Sequence, residues 1–598
     1  MAKRKKQFQR KSRELAEANH ANETSGQAVS GIVLELFAPI EENKEPKRGL
    51  RRYAPLLFLI GITFICLLPF IGKAFNIDDP LFLWAAKNIQ SNPSNPYGFN
   101  VNWYGFDMRM SEVTKNPPIT SYYIAAIGSF FGWTEIALHL AFLLPAIGVV
   151  VGTYLIAGNF CKRPFVAALC SLLTPVFLVS STSVMSDTLM LALWAFAVHF
   201  WISGVERNST VRLLLSSVFI PLCALTKYFG ITLIPLLLLY SLVKERRLGT
   251  WALYLLISVA ILAWYQWATH ALYGRGLLLD AASYATAAPS QFGKWSIPKV
   301  LVGVAFTGGC VVVVFFFTRL LWSTKAILGG AIATVILTFL ISSSKSIGAY
   351  SLPADSSTRW TIAIELSLFT ICGISLLAVA VLDLVHHKNA DSIFLFAWIV
   401  GTFIFAAFVN WTTNGRSILP MVPAAGILIV RRMELGGKLK KYASLKQLSA
   451  PLVGAAILSL AVTWGDTATA DSARRAARLI KGRYSTKTIN VWFQGHWGFQ
   501  YYMELAGGRA IDVNKSRFVP NDIVVVPTNN TNLFAMPSEW SKFSSTIEVP
   551  SSGWITTMHT QLGAGFYADV WGPLPFAVGD VPPERYNIFH VSPQSASK

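Results

Sequence analysis

Two adjacent carboxylates, Asp78 and Asp79, follow the first long apolar run of the chain by only a few residues. Asp79 stands directly before Pro80, an order that predicts a helix with Asp79 as its N-cap and proline at its first position. The apolar residues after Pro80 are spaced to form one stripe of a helix lying along a membrane surface. Asp78 has no structural task in this interpretation, so it is the stronger candidate for a functional role.

Three cations stand near predicted membrane boundaries, and each has a structural alternative. Lys115, just before Pro117-Pro118, could meet an anionic head group or simply extend along apolar surface toward water. Lys227 lies between two apolar runs and needs an anionic partner, either Asp187 or a lipid phosphate. Arg416 opens an apolar run and could bind phosphate oxygens bidentately or anchor the helix at the interface. Asp187 itself could cap a helix.

Further charged residues are less easily assigned. Asp107 and Glu112 lie in the same long loop as Asp78 and are candidate supporting residues. Glu365 lies inside an apolar run, where a carboxylate is costly, and the sequence suggests no partner for it. Together these residues predict two to four carboxylates and several cations on one membrane face. That arrangement suits chemistry on an amphiphile whose phosphate lies at the interface.

Composition places the chain among membrane proteins. Of its 598 residues 53% are hydrophobic and only 14% are charged. The net charge of +20 comes from a basic tail and from short loops, as membrane topology requires, so no nucleic-acid partner is predicted. The six cysteines lie in or beside apolar runs without metal-site spacing, which argues against a disulfide framework and predicts no metal site.

Apolar runs of roughly 17–25 residues predict an all-α polytopic membrane protein with about thirteen spans. The predicted spans are 53–73, 134–158, 164–182, 186–205, 211–226, 229–243, 250–272, 297–321, 325–341, 361–385, 392–411, 416–431 and 449–465. The apolar stretch 117–131 is left out, because counting it would move the later basic loops to the outer side. It is predicted to be a surface or partly inserted helix.

The basic loops predict the orientation and the domains. Residues 1–52 are predicted to be a basic, disordered cytoplasmic tail, and residues 53–465 a transmembrane domain whose first external loop is 74–133. After residue 465 the sequence becomes polar, with β-like runs at 523–527 and 546–550. Residues 466–598 are therefore predicted to be a small α/β domain outside the cytoplasm.

The order of these motifs resembles a known group of enzymes. The sequence combines the acidic pair, Pro117-Pro118, Asp187, the Leu225-Thr226-Lys227 triplet and a motif with Arg416, Leu419, Pro420 and Pro423. It resembles the GT-C glycosyltransferases over roughly residues 53–435, in the bacterial branch of protein O-mannosyltransferases and aminoarabinose transferases. The family pair is usually Asp-Glu, whereas this chain has Asp-Asp.

The resemblance implies an inverting transferase that moves a hexosyl or pentosyl group from a polyprenyl-phosphate donor on the outer face of a bacterial inner membrane. By position, Asp78 would be the general base, Asp79 its acidic neighbour, and Lys115, Lys227 and Arg416 the donor phosphate site. The acceptor (lipid, glycan or protein) and the need for a divalent cation stay open. Two alternatives remain: a multispan transporter, or a membrane-anchored binding or assembly protein for envelope glycans, with residues 466–598 as the binding module.

Overall fold

The computed structural model describes residues 53–287, 296–435, 445–484 and 489–592, and the predicted tail 1–52 lies outside these ranges. The first helix, α1 (Ala54–Leu67), is apolar and ends in a 3₁₀ turn, Leu68–Phe70. The first external loop then folds into short elements. They are α2 (Asp79–Ser91), β1 (Asn100–Asn102), β2 (Asp107–Arg109), α3 (Met110–Val113) and α4 (Ile119–Phe131).

The helices that follow form the first part of a bundle. They are α5 (Glu135–Phe160), α6 (Pro164–Leu172), α7 (Pro175–Ser181), α8 (Ser186–Glu206), α9 (Thr210–Thr226), α10 (Leu233–Glu245), α11 (Ala252–Tyr273) and α12 (Leu277–Ala287). A 3₁₀ turn, Tyr228–Thr232, precedes α10. Helices α6 and α7 meet at an angle of 67°, because Thr174 caps α7 and Pro175 begins it.

The second part of the bundle is more broken. Its helices are α13 (Ile297–Cys310), α14 (Val313–Phe316), α15 (Thr318–Leu321), α16 (Thr324–Ser342), α17 (Ser356–His387), α18 (Ala390–Ile404), α19 (Gly415–Ile418), α20 (Val422–Leu435) and α21 (Leu445–Arg483). A two-stranded hairpin, β3 (Ser346–Ile347) and β4 (Tyr350–Ser351), precedes α17. Helix α18 continues into a π-helical turn, Phe405–Val409.

Eight helices in the described ranges are long and apolar enough to cross a membrane, or nine if α6 and α7 form one bent span. Each of the thirteen predicted spans contains helix, but several are short or interrupted. The predicted span 297–321, for example, is divided among three helices. The polytopic helical architecture is therefore confirmed, whereas the count of thirteen stays a prediction.

The C-terminal region is a mixed α/β unit, as predicted. Its elements are β5 (Val491–Phe493), α22 (Trp497–Leu505), β6 (Arg509–Ala510), β7 (Ile523–Pro527), β8 (Ser541–Val549), β9 (Ile555–Thr556), β10 (Met558–His559), β11 (Ala564–Gly565), β12 (Ala577–Val578) and β13 (Glu584–Val591). Five strands form one sheet in the order β6-β5-β7-β13-β8. The pairs of β5 with β6 and β7 are parallel, and those of β13 with β7 and β8 are antiparallel.

This unit packs directly on the bundle. Helix α21 runs past residue 465 without a break, so the bundle and the polar region share one helix. One cluster of buried apolar side chains extends from Phe142 and Val462 to Val525 in the sheet. Glu365, for which the sequence offered no partner, accepts a hydrogen bond from the Val578 N–H in β12 (2.8 Å). The sheet region is thus held against one end of the helical bundle.

Candidate active site

The acidic stretch forms a tight loop before α2. Asp79 is the first helical residue and is completely buried. Its Oδ2 accepts a hydrogen bond from the Asn76 N–H (2.8 Å), and its Oδ1 accepts one from the Val184 N–H (2.9 Å). The prediction that Asp79 is the N-cap is therefore wrong. Its two oxygens instead satisfy backbone donors of two different loops and join the external loop to the bundle.

Asp78 takes the N-cap position, but its side chain makes no capping hydrogen bond. It remains 23% exposed, whereas its neighbour is buried. The preceding residue, Ile77, has a φ of 48°, which is strained for a β-branched side chain. The hydrogen bonds of Asp79 fix this sharp turn. The turn directs the Asp78 carboxylate toward Arg416 in α19.

Four of the predicted site residues come together as a row of alternating charges. The Arg416 guanidinium donates from Nη2 to Asp78 Oδ2 (2.9 Å), and its Nη1 lies 4.0 Å from Asp187 Oδ2. Lys227 Nζ donates to Asp187 Oδ1 (2.5 Å). Asp187 thus takes the structural role of partner that the sequence offered for it, and it also approaches Arg416. The row joins the external loop to the starts of three bundle segments.

The row leaves two buried polar atoms without a protein partner in the described residues: Arg416 Nε and Asp187 Oδ2. Arg416 otherwise donates from Nη1 to the Met185 sulfur (2.8 Å), a weak acceptor for a guanidinium. Buried donors of this kind are ordinarily satisfied by protein, water or ligand. An N–H group of a fixed guanidinium that lacks an acceptor suits a phosphate oxygen.

Burial and neighbouring charges shift the protonation of this cluster. Burial raises the pKa of Asp79 to about 7, although the two backbone N–H groups and Lys73 oppose the shift. Burial and Arg416 lower the pKa of Lys227, with Asp187 acting against them. Arg416 is a permanent cation beside Asp78, because a guanidinium does not lose its proton in proteins.

The other predicted site residues lie outside this row. Lys115 forms an ion pair with Asp280 (2.7 Å), and its ammonium lies 5.5 Å from the centre of the Tyr284 ring. Burial, Tyr284 and Asp78 together raise the pKa of Tyr104 to about 12. Lys115 is thus paired with Asp280 and is not in direct contact with Arg416 or Lys227.

The two supporting carboxylates are more peripheral. Asp107 accepts hydrogen bonds from Lys515 Nζ and Asn100 Nδ2 (both 3.1 Å) on an exposed surface. Glu112 is exposed in the first turn of α3. Neither residue joins the row of charges, so we do not include them in the site. Asp107 instead helps to hold the hairpin of the external loop against the C-terminal unit.

Sequence reasoning missed a contribution from residues 564–571. The Gly415 N–H donates to the Phe566 carbonyl oxygen (2.7 Å), and a Cβ at Gly415 would lie only 2.6 Å from the Phe566 ring. The Tyr567 ring lies 5.7 Å from the Arg416 guanidinium, a cation–π distance. Asp569 accepts hydrogen bonds from Thr412 Oγ1 (2.6 Å) and the Thr413 N–H (3.0 Å). The C-terminal unit therefore forms one wall of the site.

Two buried ion pairs hold this wall in place. Lys299 Nζ donates to Asp569 Oδ2 (2.7 Å), and Lys73 Nζ donates to Asp466 Oδ2 (2.5 Å), with all four side chains inaccessible or nearly so. Asp466 also accepts from the Tyr567 hydroxyl (3.1 Å). One sequence signal was available, because Asp466 directly follows an apolar run and a charge there requires a partner. Nothing in the sequence indicates that the partner is Lys73.

No group of three or more His, Cys, Asp or Glu side chains that could hold a metal ion occurs within the described ranges. All six cysteines are free.

A comparison with protein families bears on this geometry. Residues 115–268 match the family model of the dolichyl-phosphate-mannose-protein mannosyltransferases. The membrane domain resembles this GT-C family. The matched segment of this GT-C-like domain contains Lys115, Asp187 and Lys227, whereas Asp78 and Arg416 lie outside it. The resemblance predicted from the motifs is thus confirmed by a segment that covers about a quarter of the chain. No match was found among the curated proteins.

Three solved structures are similar to the GT-C-like chain at low identity. ArnT from Cupriavidus metallidurans, bound to undecaprenyl phosphate, is 12% identical, with a TM-score of 0.37 over 80% of this chain and 93% of that one. AglB, an oligosaccharyltransferase from Archaeoglobus fulgidus in complex with an inhibitory peptide and a dolichol-phosphate, is 12% identical, with a TM-score of 0.47 over 77% and 64%. The mycobacterial arabinofuranosyltransferase AftD is 13% identical, with a TM-score of 0.41 over 92% and 42%. Likeness of this degree carries no argument about function.

Proposed function

We propose that the protein is an inverting glycosyltransferase that moves a sugar from a polyprenyl-phosphate donor to a hydroxyl group of an acceptor at the outer face of a bacterial inner membrane. The observation that carries the proposal is the row Asp78–Arg416–Asp187–Lys227, in which Arg416 has a buried N–H group that finds no acceptor among the described residues. The match of residues 115–268 to the family model of the dolichyl-phosphate-mannose-protein mannosyltransferases supports it.

The row supplies the groups that such a transfer needs. The acceptor oxygen forms a bond to the anomeric carbon, while the bond from that carbon to the phosphate oxygen breaks. The leaving polyprenyl phosphate keeps the electron pair, and Arg416 and Lys227 stabilise its charge. The proton of the acceptor hydroxyl goes to the Asp78 carboxylate. The sugar phosphoester already carries its leaving group, so no covalent intermediate on the enzyme is required.

The neighbouring carboxylates have different roles in this proposal. Asp79 is completely buried and both of its oxygens are occupied by backbone N–H groups, so it positions the loop and does not meet the acceptor. Asp187 holds Lys227 and approaches Arg416, which keeps the two cations close to each other despite their repulsion. Asp78 is the partly exposed carboxylate of the three and can meet an acceptor hydroxyl.

The direct test uses purified protein and synthetic polyprenyl-phosphate sugars of several hexoses and pentoses. We expect release of polyprenyl phosphate from at least one donor when an acceptor is present. Cells that lack the protein should accumulate the same polyprenyl-phosphate sugar, measured by mass spectrometry of extracted lipids. Absence of turnover with every donor, together with an unchanged lipid profile, would contradict the proposal.

The proposed orientation places residues 1–52 in the cytoplasm and the C-terminal unit on the outer side of the membrane. A reporter that is active only outside the cytoplasm should be active when it is fused after Arg483, at the end of α21. The same reporter should be silent after Lys388, which ends α17 in a left-handed turn and follows two histidines. The reverse pattern would place the row of charges on the cytoplasmic face.

A further inference from the structure

Two tryptophans of the C-terminal unit meet beside the acidic stretch. The rings of Trp497 and Trp571 lie 5.5 Å apart, tilted by 54°, and both side chains are partly exposed. Trp497 lines a narrow crevice together with Asn76 and Ile77, the two residues that precede Asp78. Trp571 follows Asp569, which binds Thr412 and Thr413 close to Arg416. The indole pair therefore lies close to the acidic stretch and to the segment that leads into Arg416.

The backbone at Trp497 is strained. Trp497 has a φ of 62°, and Gly495, two residues earlier, has a φ of 85°. A bulky residue in the left-handed region is a true outlier, and such strain is concentrated at functional sites. The next residue, Gly498, approaches the external loop so closely that a Cβ there would lie 2.0 Å from the Phe75 carbonyl oxygen. The turn that carries Trp497 thus packs tightly against the loop that leads into the acidic stretch.

The residue before Trp497 carries an unsatisfied polar atom and lines a separate crevice. His496 is only 4% exposed, and its Nε2 has no hydrogen-bond partner among the described residues. Its ring lies 5.3 Å from that of Trp103 and lines a narrow crevice with Asn102 and Asn532. The crevice lies at the carboxyl end of β5, which pairs in parallel with β6 and β7. Open α/β sheets bind ligands at this edge.

We propose that Trp497 and Trp571 form a platform for a sugar ring of the acceptor, so that the acceptor is a glycan or glycoside. This inference rests on the proposed function. Sugar rings place their apolar C–H faces on aromatic rings while their hydroxyls remain free for hydrogen bonds. Arg416 and Lys227, the candidate phosphate ligands, belong to the bundle, whereas the indole pair belongs to the C-terminal unit. In this proposal the donor phosphate and the acceptor sugar are thus bound by different parts of the chain.

The platform is tested by separating the acceptor from the donor in steady-state kinetics. Purified full-length protein is given a polyprenyl-phosphate sugar that the parent turns over, with methyl and hexyl glycosides, a Ser/Thr-rich peptide and a long-chain alcohol as alternative acceptors. We expect transfer to the glycosides. Trp571→Leu should raise the KM for the glycoside about two- to tenfold, and Trp571→Phe less, while the KM for the donor stays unchanged.

Matched variants keep the outcome clear. Trp554→Leu alters a different indole pair, Trp464–Trp554 (5.9 Å), and should leave both KM values unchanged. Trp497→Leu should raise the glycoside KM as Trp571→Leu does, and Trp497→Phe, which retains an aromatic ring, takes its place if the leucine variant does not fold. Transfer to the peptide or the alcohol but not to glycosides would overturn the platform, as would an unchanged glycoside KM in Trp571→Leu. A change confined to the donor KM would assign the pair to the donor sugar and also overturn it. No turnover by the parent with any donor would instead refute the proposed function.

Discussion

The Arg416 guanidinium donates from Nη2 to Asp78 Oδ2 at 2.9 Å, which joins the first external loop to the short helix α19. The contact links the candidate base to the candidate phosphate ligand. A donor phosphate at Arg416 would compete with Asp78 for the guanidinium. In the proposed mechanism, phosphate binding therefore releases an oxygen of Asp78 to accept the proton of the acceptor hydroxyl.

Replacing Arg416 with lysine should weaken donor binding while leaving a positive charge in place. A lysine offers one compact ammonium and lacks the planar fork of N–H groups that binds phosphate oxygens bidentately. We expect the Kd for a polyprenyl-phosphate sugar to rise roughly tenfold to a hundredfold, the worth of a charge-assisted hydrogen bond. The control is Arg585→Lys, because Arg585 pairs with Glu548 on an exposed surface. Equal affinity of Arg416→Lys and the parent would remove Arg416 from the phosphate site.

The Lys299–Asp569 pair predicts a strong coupling between the bundle and the C-terminal unit. Both side chains are inaccessible, so Lys299→Met would leave the Asp569 charge buried without its cation. We expect a loss of about 3–5 kcal/mol in the free energy of unfolding, and recovery of most of it in the Lys299→Met/Asp569→Asn double variant. Thermal unfolding in detergent measures both effects.

The exposed pair Lys515–Asp107 provides the control for that cycle. Lys515 is 68% exposed, so Lys515→Met should cost less than about 1 kcal/mol. If Lys299→Met were as mild as Lys515→Met, the buried pair would not hold the C-terminal wall of the site. If the double variant were as unstable as the single one, the cost would come from packing.

Glu584 in β13 predicts a pH dependence of stability. Burial raises the pKa of this carboxyl from 4.5 to about 7, against the hydrogen bond donated by Asn529 Nδ2 (2.9 Å). Between these pH values the folded state holds a neutral carboxyl that the unfolded state ionises. The resulting stabilisation, relative to high pH, is complete below about pH 4.5 and is lost as the pH rises through about 7.

Glu584→Gln removes this loss of stability at high pH, because a glutamine side chain does not ionise. Its Oε1 can still accept the hydrogen bond from Asn529. At pH 8 we expect the variant to unfold at a higher temperature than the parent, with a gain of at most roughly 2–4 kcal/mol in the free energy of unfolding. At pH 5 the two proteins should unfold at similar temperatures. Asp79, whose pKa is also about 7, changes equally in both proteins. A difference that is the same at both pH values would show that ionisation of Glu584 is not the cause.

The sequence predicted much of the membrane architecture for clear physical reasons. Apolar runs located helix in every predicted span, and the polar region after residue 465 was correctly expected to contain strands. Residues that need a partner in an apolar setting were also informative, since Lys227 pairs with Asp187 as the costs of burial require. The count of thirteen spans stays a prediction, because short segments such as α13–α15 have the composition of a membrane helix but not its length.

The site itself could be predicted only in part. The roles of Asp78 and Asp79 depend on which backbone N–H groups come close, and the Val184 N–H is distant in sequence. The wall formed by Tyr567, Asp569 and Trp571 was not predictable, because no local pattern specifies which loop of a polar domain folds back onto the membrane face. The resemblance implies that Lys115 lies with Arg416, whereas in the structure Lys115 forms an ion pair with Asp280.

The central claim is that Asp78 accepts the proton of the acceptor hydroxyl while Asp79 positions the loop. The most direct measurement is turnover of a polyprenyl-phosphate sugar by Asp78→Asn and Asp79→Asn at matched protein levels, with donor binding and thermal unfolding measured on the same samples. Asp78→Asn should lose about 10²–10⁴-fold in kcat while it still binds donor and unfolds near the parent temperature. Asp79→Asn has one oxygen for two N–H groups, so it should unfold at a lower temperature and keep more activity than Asp78→Asn. Near-normal turnover by Asp78→Asn would contradict the account.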